Sequence, residues 1–308
     1  MISAMAFLKS GIDPKLIYND YNGYYQVGNW KWRAWKRGGH GPTDMKKSLV
    51  ESANTYYYKF SDQIGYAPIV KVARDFSLGQ KSGIDVPGEK TGIIPDPDWK
   101  KKKTKTVWFR GDTILLSIGQ GFTLVTPIQL AKAYTFLANK GWAYDPHVVS
   151  RIEDVQTGKI ETVVTQKTVL TDYPASFYET INDALIATVD QNNGTTKIMK
   201  NPYVKVAAKS PHSKLTHAWV AGYFPADTEP EIVFVCLLEG AGGGGVMAGG
   251  MAKRFLDKYL EVEKGIEVVK KTPQTETKQV NTSTTQRNVN NNNSEQGRGE
   301  ETVNEERE

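Results

Sequence analysis

A single cysteine, Cys236, stands in the 308 residues, so the chain has no internal disulfide to build on. It sits within the apolar run Glu231 to Leu238, of buried-strand length, which predicts a buried structural thiol rather than a nucleophile. Histidine is also scarce, at four, and no Cys or second His flanks His40, which weakens a metal reading there. No stretch approaches the roughly 18 apolar residues of a membrane span, and none reads as a signal peptide. The chain by itself therefore carries no address. Neither sign of charge dominates: 39 Lys and Arg face 34 Asp and Glu, a net charge of +5. The one basic cluster, Lys100 to Lys103, lies in a Pro- and Asp-rich segment between Trp99 and Trp108 and is expected to be a solvated loop. Nucleic acid binding needs a broader basic face, so no nucleic acid partner is expected.

What is there suits one globular domain of about 260 residues followed by a polar tail. Met1 to Gly11 reads as the body of a helix ending at a Gly stop, with no capping residue before it, as if the chain were cut inside an element. Residues 18 to 43 predict a short hairpin and loops, with a turn at Lys36 to Pro42. Thr126 to Asn139 has an N-cap, Pro in the first turn and a continuous apolar face, the pattern of a helix. Pro146 to Gln166 alternates as a hairpin around Thr157-Gly158, and Ser176 to Val189 is amphipathic and helical. Three strand-like runs follow, Val204–Lys209, His217–Phe224 and Ile232–Leu238. A last helix is expected from Met251 to Leu260, after the glycine run 240–245. Terminal helices around an antiparallel sheet, with a helical insertion, make an α+β arrangement. From about Glu263 the sequence turns Thr-, Gln-, Asn- and Glu-rich without periodicity, so 263–308 is expected to be a disordered tail.

The chemistry centres on Lys46 to Tyr58. Helical spacing puts Leu49, Val50, Tyr56 and Tyr57 toward a core. Ser52 and Asn54 can share a cleft only where the helix gives way to a turn. There a hydroxyl relays a proton and a carboxamide holds an amide. The plain alternative is that Ser52 caps a helix start, with Asn54 in its first turn.

Other blocks stand in order around this tripeptide. Gly23-Tyr24-Tyr25, Trp35-Lys36-Arg37-Gly38-Gly39-His40-Gly41, Ser52-Ala53-Asn54, Gly83 to Glu89 and Gly111-Asp112-Thr113 come first. Ser117-Ile118-Gly119-Gln120-Gly121, Thr126-Pro127, Ala208-Lys209-Ser210 and His217-Ala218-Trp219 follow. Over residues 1–262 the chain resembles the transpeptidase domain of class B penicillin-binding proteins of the penicillin-binding protein 2 type. The resemblance implies a penicillin-binding fold, serine β-lactamase-like, with a helical subdomain and incomplete at its N-terminus.

It also implies a chemistry in which Ser-x-x-Lys, Ser-x-Asn and Lys-Thr/Ser-Gly converge in one cleft. A serine attacks the D-Ala-D-Ala carbonyl of a peptidoglycan stem peptide, D-alanine leaves, and the acyl group passes to another stem's amine. On that pattern Ser52 relays protons, Asn54 binds the peptide amide, and Lys209 and Ser210 receive the substrate carboxylate. The backbone N–H of His212 takes the oxyanion position. Stem peptides and β-lactams are the implied ligands, and a glycosyltransferase of the cell-elongation machinery the implied partner. The implied location is the periplasmic face of the inner membrane. No cofactor is implied.

Two departures bear on activity. Ser-x-x-Lys is missing; the pattern puts its Lys immediately before Met1, and Ser3 has no Lys three residues on. The strand motif reads Lys209-Ser210-Pro211-His212, with Pro where the family has a Gly that lets backbone approach the substrate. That Pro is either a substitution or the mark of a short deletion. The chain alone is therefore expected to be inactive. The literal Lys90-Thr91-Gly92 is followed by Ile-Ile-Pro-Asp-Pro and reads as a loop, not as a catalytic strand. Some relatives hold a metal beside the cleft. Asp20 and His40 match that region, but Ala34 and Ala53 offer no donor, so no metal is expected. Two other readings stand: a non-catalytic remnant or scaffold of the cell-wall machinery, and a serine β-lactamase or β-lactam sensor. The Gly-Asp-Thr and Ser-Ile-Gly-Gln-Gly blocks favour the transpeptidase over the latter.

Overall fold

The computed structural model describes residues 1–210, 217–241, 244–266 and 268. Helix α1 (Ile2–Lys9) is buried along Ser3 to Leu8 and stops where Gly11 takes φ +80°, a conformation glycine adopts without strain. Strand β1 (Tyr18–Asp20) is followed by the hairpin β2 (Tyr24–Val27) and β3 (Trp30–Arg33). β4 (Gly41–Thr43) then returns to pair antiparallel with β1. Helix α2 (Met45–Val50) starts at Asp44, whose carboxylate accepts the Lys47 N–H at 2.7 Å, an ordinary N-cap. α3 (Asn54–Ile64) and α4 (Tyr66–Asp75) follow. Their apolar faces pack on α1, with Phe7 among Tyr56, Tyr57 and Phe60 at ring separations of 5.8 to 6.3 Å.

Next come α5 (Pro97–Thr104), α6 (Arg110–Ser117) and α7 (Pro127–Ala138). α7 opens with the reciprocal cap its sequence predicts: Thr126 Oγ1 accepts the Gln129 N–H and Gln129 Oε1 accepts the Thr126 N–H. The Gln129 amide also donates to the carbonyls of Gln80, Lys90 and Thr91, which fastens the loop carrying Lys90-Thr91-Gly92. β5 (Trp142–Tyr144) pairs with β8 (Lys167–Val169). Between them β6 (Arg151–Glu153) and β7 (Ile160–Thr162) form the expected hairpin, turning at Gly158 with φ +69°. Helix α8 (Ala175–Asp190) leads through a 3-10 turn at Lys197–Met199 to β9 (Ala207–Lys209), β10 (Ala218–Phe224), β11 (Ile232–Leu238) and α9 (Gly244–Lys264).

The three predicted strands form one antiparallel sheet in the order β11-β10-β9. Phe224 packs against Phe234 and against Tyr259 of α9, while Ala221, Tyr223 and Ala207 join the core shared with α7 and α8. Helices on both faces of an antiparallel sheet give the α+β class read from the sequence.

Four expectations are corrected in detail. The Lys100 to Lys103 segment is a helix, not a solvated loop: Asp96 caps α5 and Pro97 opens it, and Lys100 is buried against Asp112. Cys236 is half-buried, because β11 is an outer strand of the described sheet. The last helix starts inside the glycine run, at Gly244 rather than Met251. The same helix carries on to Lys264, past the expected start of the tail at Glu263. The remainder of that tail from 269 onward lies outside the described residues.

Candidate active site

α2 ends at Val50 and α3 begins at Asn54, so Ser52 occupies the turn between two helices. Its φ of +52° lies in the left-handed region, which a residue with a Cβ enters only under constraint, at a cost of roughly 1–2 kcal/mol. Ser52 is not the N-cap of α3. That position belongs to Ala53, which has no capping side chain. The Ser52 hydroxyl instead donates to Thr195 Oγ1 at 3.3 Å and accepts from the amine of Lys209. Ser52 and Lys209 stand 157 residues apart in the sequence.

Lys209 ends β9 beside the centre of the sheet, opposite Ala221 of β10. Its amine also donates to the Ser210 carbonyl at 2.7 Å. Although Lys209 keeps some accessible surface, its amine sits in a protein-lined recess, and burial lowers its pKa to about 7. Ser210 is buried. Behind the strand, Thr188 Oγ1 donates to the Ala208 carbonyl at 2.5 Å and meets Thr196 Oγ1 at 2.7 Å, tying β9 to α8 and to the loop that carries Thr195. A lysine that loses its proton near neutral pH, touching a hydroxyl, makes a proton-relay pair. When protonated, the same amine is a site for an incoming carboxylate.

Asn54 opens α3, two residues after Ser52, and its carboxamide bonds the hydroxyl of Tyr58. Of the residues named from the sequence, Ser52, Lys209 and Ser210 come together directly; Asn54 stands next to them at the helix start. His212 lies outside the described residues, as does Pro211. Ser3 is unavailable as a nucleophile, since it is buried and its hydroxyl donates to the Ser117 carbonyl at 2.5 Å. The N-terminal end of α1 nevertheless abuts the site. Burial, with a contribution from the Lys209 charge, lowers the pKa of the Met1 amine to about 5.

Beside the cleft, Asp20 and His40 are neighbours, and His40 Nε2 is buried without a hydrogen-bond partner. Asp20 already accepts the N–H groups of Gly23 and His40 and the hydroxyl of Thr55. His40 Nδ1 lies 2.7 Å from Glu51 Oε2. Among the described residues no group of three or more His, Cys, Asp or Glu side chains is placed to hold an ion. The sequence reading missed Glu51, Asn193 and Thr195. Asn192 to Thr196 carries the signal of a helix stop, but nothing in it says which hydroxyl it meets.

The family model of the penicillin binding protein transpeptidase domain matches residues 1–261. The chain is 33% identical over 250 residues to the peptidoglycan D,D-transpeptidase MrdA of Haemophilus influenzae, covering 75% of this chain and 38% of that protein. It is 29% identical over 251 residues to the MrdA of Escherichia coli, covering 75% and 39%. Among solved structures, PBP2 of Pseudomonas aeruginosa in complex with WCK 5153 superimposes with a TM-score of 0.75 at 29% identity, covering 86% of this chain and 58% of that one. PBP2 in its complex with MreC from Helicobacter pylori gives 0.74 at 25% identity, covering 86% and 48%. The chain thus spans well under half the length of these curated relatives. A family match over nearly all of α1 to α9, the fold of these neighbours, and Ser52 against Lys209 agree: the chain belongs to the penicillin-binding protein transpeptidase domain family.

Proposed function

We propose that this chain is the C-terminal part of a peptidoglycan D,D-transpeptidase of the penicillin-binding protein 2 type. In this reading the whole enzyme cross-links stem peptides through an acyl-serine intermediate and binds β-lactams at the same serine. The observation that carries it is the Ser52–Lys209 contact, made across two remote elements, with the N-terminal end of α1 beside it. The family pattern puts the nucleophilic serine and its lysine immediately ahead of that end.

The roles follow from position. The serine hydroxyl gives its proton to the lysine amine of Ser-x-x-Lys as it attacks the D-Ala-D-Ala carbonyl, and Ser52 with Lys209 passes a proton on to the departing D-alanine amine as the C–N bond breaks. The protonated Lys209 and the Ser210 hydroxyl receive the terminal carboxylate, and Asn54 holds the peptide amide. A backbone N–H after Ser210 stabilises the oxyanion, the place taken here by His212. No helix among the described residues is long and apolar enough to cross a membrane. The reading puts the whole protein at the periplasmic face of the inner membrane, working with a glycosyltransferase of cell elongation.

The chain alone, without Ser-x-x-Lys and with Pro211 following Ser210 where the family has a Gly, is inactive in this reading. The test is a fluorescent penicillin with mass spectrometry of the labelled peptide. The 308-residue chain gives no adduct, since losing one member of a catalytic unit costs several orders of magnitude. Adding Ser-x-x-Lys ahead of Met1 gives weak labelling on the new serine, and Pro211→Gly in addition increases it. Stoichiometric adduct on Ser3 or Ser52 of the unaltered chain overturns the inactivity. The second reading, a non-catalytic remnant, draws on Pro211; a reading frame upstream of Met1 that lacks Ser-x-x-Lys supports it, whereas silence after both repairs also fits a short deletion after Ser210.

A further inference from the structure

We propose that Glu51 is a positioning residue, whose carboxylate clamps the Ser52 turn and the Thr195 loop into one arrangement. This deepens the reading above, since it concerns the proton-relay pair assigned there. Glu51 caps the C-terminal end of α2 and directly precedes Ser52. Two segments remote from each other converge on it. From the loop before β4 come His40 Nδ1, 2.7 Å from Oε2, and the Lys36 amine, 3.4 Å from the same oxygen; Trp35 Nε1 donates to the Glu51 backbone carbonyl at 3.0 Å. From the loop after α8, Asn193 Nδ2 donates to Oε1 at 3.0 Å. Both carboxylate oxygens are thus engaged, one by each segment.

The second segment is the one that reaches Ser52. Two residues after Asn193, Thr195 sends its N–H to the Val50 carbonyl at 3.2 Å and its side chain accepts from the Ser52 hydroxyl. Gly194 between them has no room for a Cβ, which would lie 2.1 Å from the Thr188 carbonyl oxygen. The loop therefore bears on both sides of Glu51, and Glu51 in turn fixes the residue before a backbone held at φ +52°. A strained turn of this kind persists only where its surroundings over-determine it. The His40–Glu51–Asn193 bridge supplies that constraint. Its charge suits the role: burial alone raises the Glu51 pKa, but the bonds from His40 and Asn193 and the charges of Lys36 and Lys47 outweigh it and keep the carboxyl below its ordinary range.

A merely stabilising ion pair and a positioning clamp differ in what happens to Lys209. In the clamp, Glu51→Gln keeps the side chain's shape but removes the negative charge facing Lys36 and one of the two acceptor oxygens. The Ser52 turn relaxes, the recess around the Lys209 amine opens, and its pKa moves from about 7 upward by about one unit or more. The measurement is a Lys Nζ titration by NMR on the full 308-residue chain, with the thermal midpoint followed in parallel. Lys46→Ala, which removes the exposed pair with Asp183 between α2 and α8, leaves the Lys209 titration unchanged. Asn193→Ala removes one arm from an exposed residue and gives a smaller shift in the same direction, which covers the case of a poorly folded Glu51→Gln. In the chain repaired with Ser-x-x-Lys, Glu51→Gln lowers the rate of penicillin acylation about tenfold. The NMR readout needs no acylation, so failure of the transpeptidase reading leaves it intact. A folded Glu51→Gln whose Lys209 titrates as in the parent overturns the clamp, as does an unshifted Asn193→Ala where Glu51→Gln does not fold.

Discussion

Among the described residues, Lys100, Lys132 and Lys209 carry buried amines that meet two different ends. Lys100 of α5, 4% exposed, places its amine 2.5 Å from Asp112 at the start of α6 and over the ring of Phe109. Lys132 of α7, 7% exposed, reaches Asp145 at 2.5 Å and the Ser82 carbonyl. Both are braces between elements, each with its own counter-ion. Lys209 has a hydroxyl and a carbonyl instead, and among the described residues no carboxylate pairs with it. Burial of an ammonium without a counter-ion is unfavourable, and a fold that only needed a brace supplies the carboxylate, as it does twice elsewhere. Under the proposed function, the absence of a carboxylate beside Lys209 among the described residues leaves a place for the substrate's carboxylate, while burial lets the amine release its proton near neutrality.

The largest effect is expected at the Lys100–Asp112 brace. Lys100→Met leaves Asp112 nearly buried with only the Phe109 N–H, at 2.6 Å, and the N-terminus of α6 to offset its charge. Breaking a buried pair from one side costs about 3 kcal/mol, the low end of the range because the helix terminus still favours the anion. Urea unfolding at pH 7 measures it. A loss below about 1 kcal/mol makes the brace no different from a surface pair.

Lys209→Met has the opposite sign. At pH 7 it stabilises by about 1 kcal/mol, because it removes an amine whose charged form burial disfavours, less the hydrogen bonds lost. The gain depends on pH. Between about 7 and the unfolded value of 10.5, the unfolded parent holds a proton on Lys209 that the folded parent has released, so parent stability rises through this window. Below about 7 the unfavourable term is fully present. The stability gained by Lys209→Met over the parent therefore shrinks by about 1 kcal/mol from pH 7 to pH 9, allowing for partial solvation. A variant less stable than the parent by more than 1 kcal/mol at pH 7 removes the distinction between the lysines.

The brace and the site were unequally legible in the sequence. α1, α7, α8 and the strands could be read because capping residues, periodicity and apolar runs are local signals. α5 was hidden by four consecutive lysines, although Asp96 and Pro97 mark its start; a helix turns only one of the four inward, and Lys100 is that one. α9 was read too short because glycine disfavours helix. Packing overrides propensity here: a Cβ on Gly245 would lie 2.3 Å from the Thr195 carbonyl oxygen, and one on Gly249 2.9 Å from Ile198. Ser52, Asn54 and Lys209 were found through motif order. Thr195, Asn193 and Glu51 were not, since a hydroxyl 143 residues from its partner has no signature in spacing.

The smallest effect tests the backbone on which Lys209 depends. Ser52 pays for its φ of +52° with strain that glycine does not incur. Ser52→Ala keeps the strain and loses the hydroxyl bonds to Thr195 and Lys209, so it destabilises by about 1 kcal/mol. Ser52→Gly loses the same bonds but relieves the strain, while glycine's freedom in the unfolded chain takes back about half of that relief. It is therefore more stable than Ser52→Ala by about 0.5 kcal/mol, the reverse of the order these residues show within a regular helix. Matched urea curves of the two variants at one pH resolve the difference. An alanine variant as stable as the glycine one means that the turn relaxes out of the left-handed region without cost, and that Lys209 meets a mobile hydroxyl rather than a fixed one.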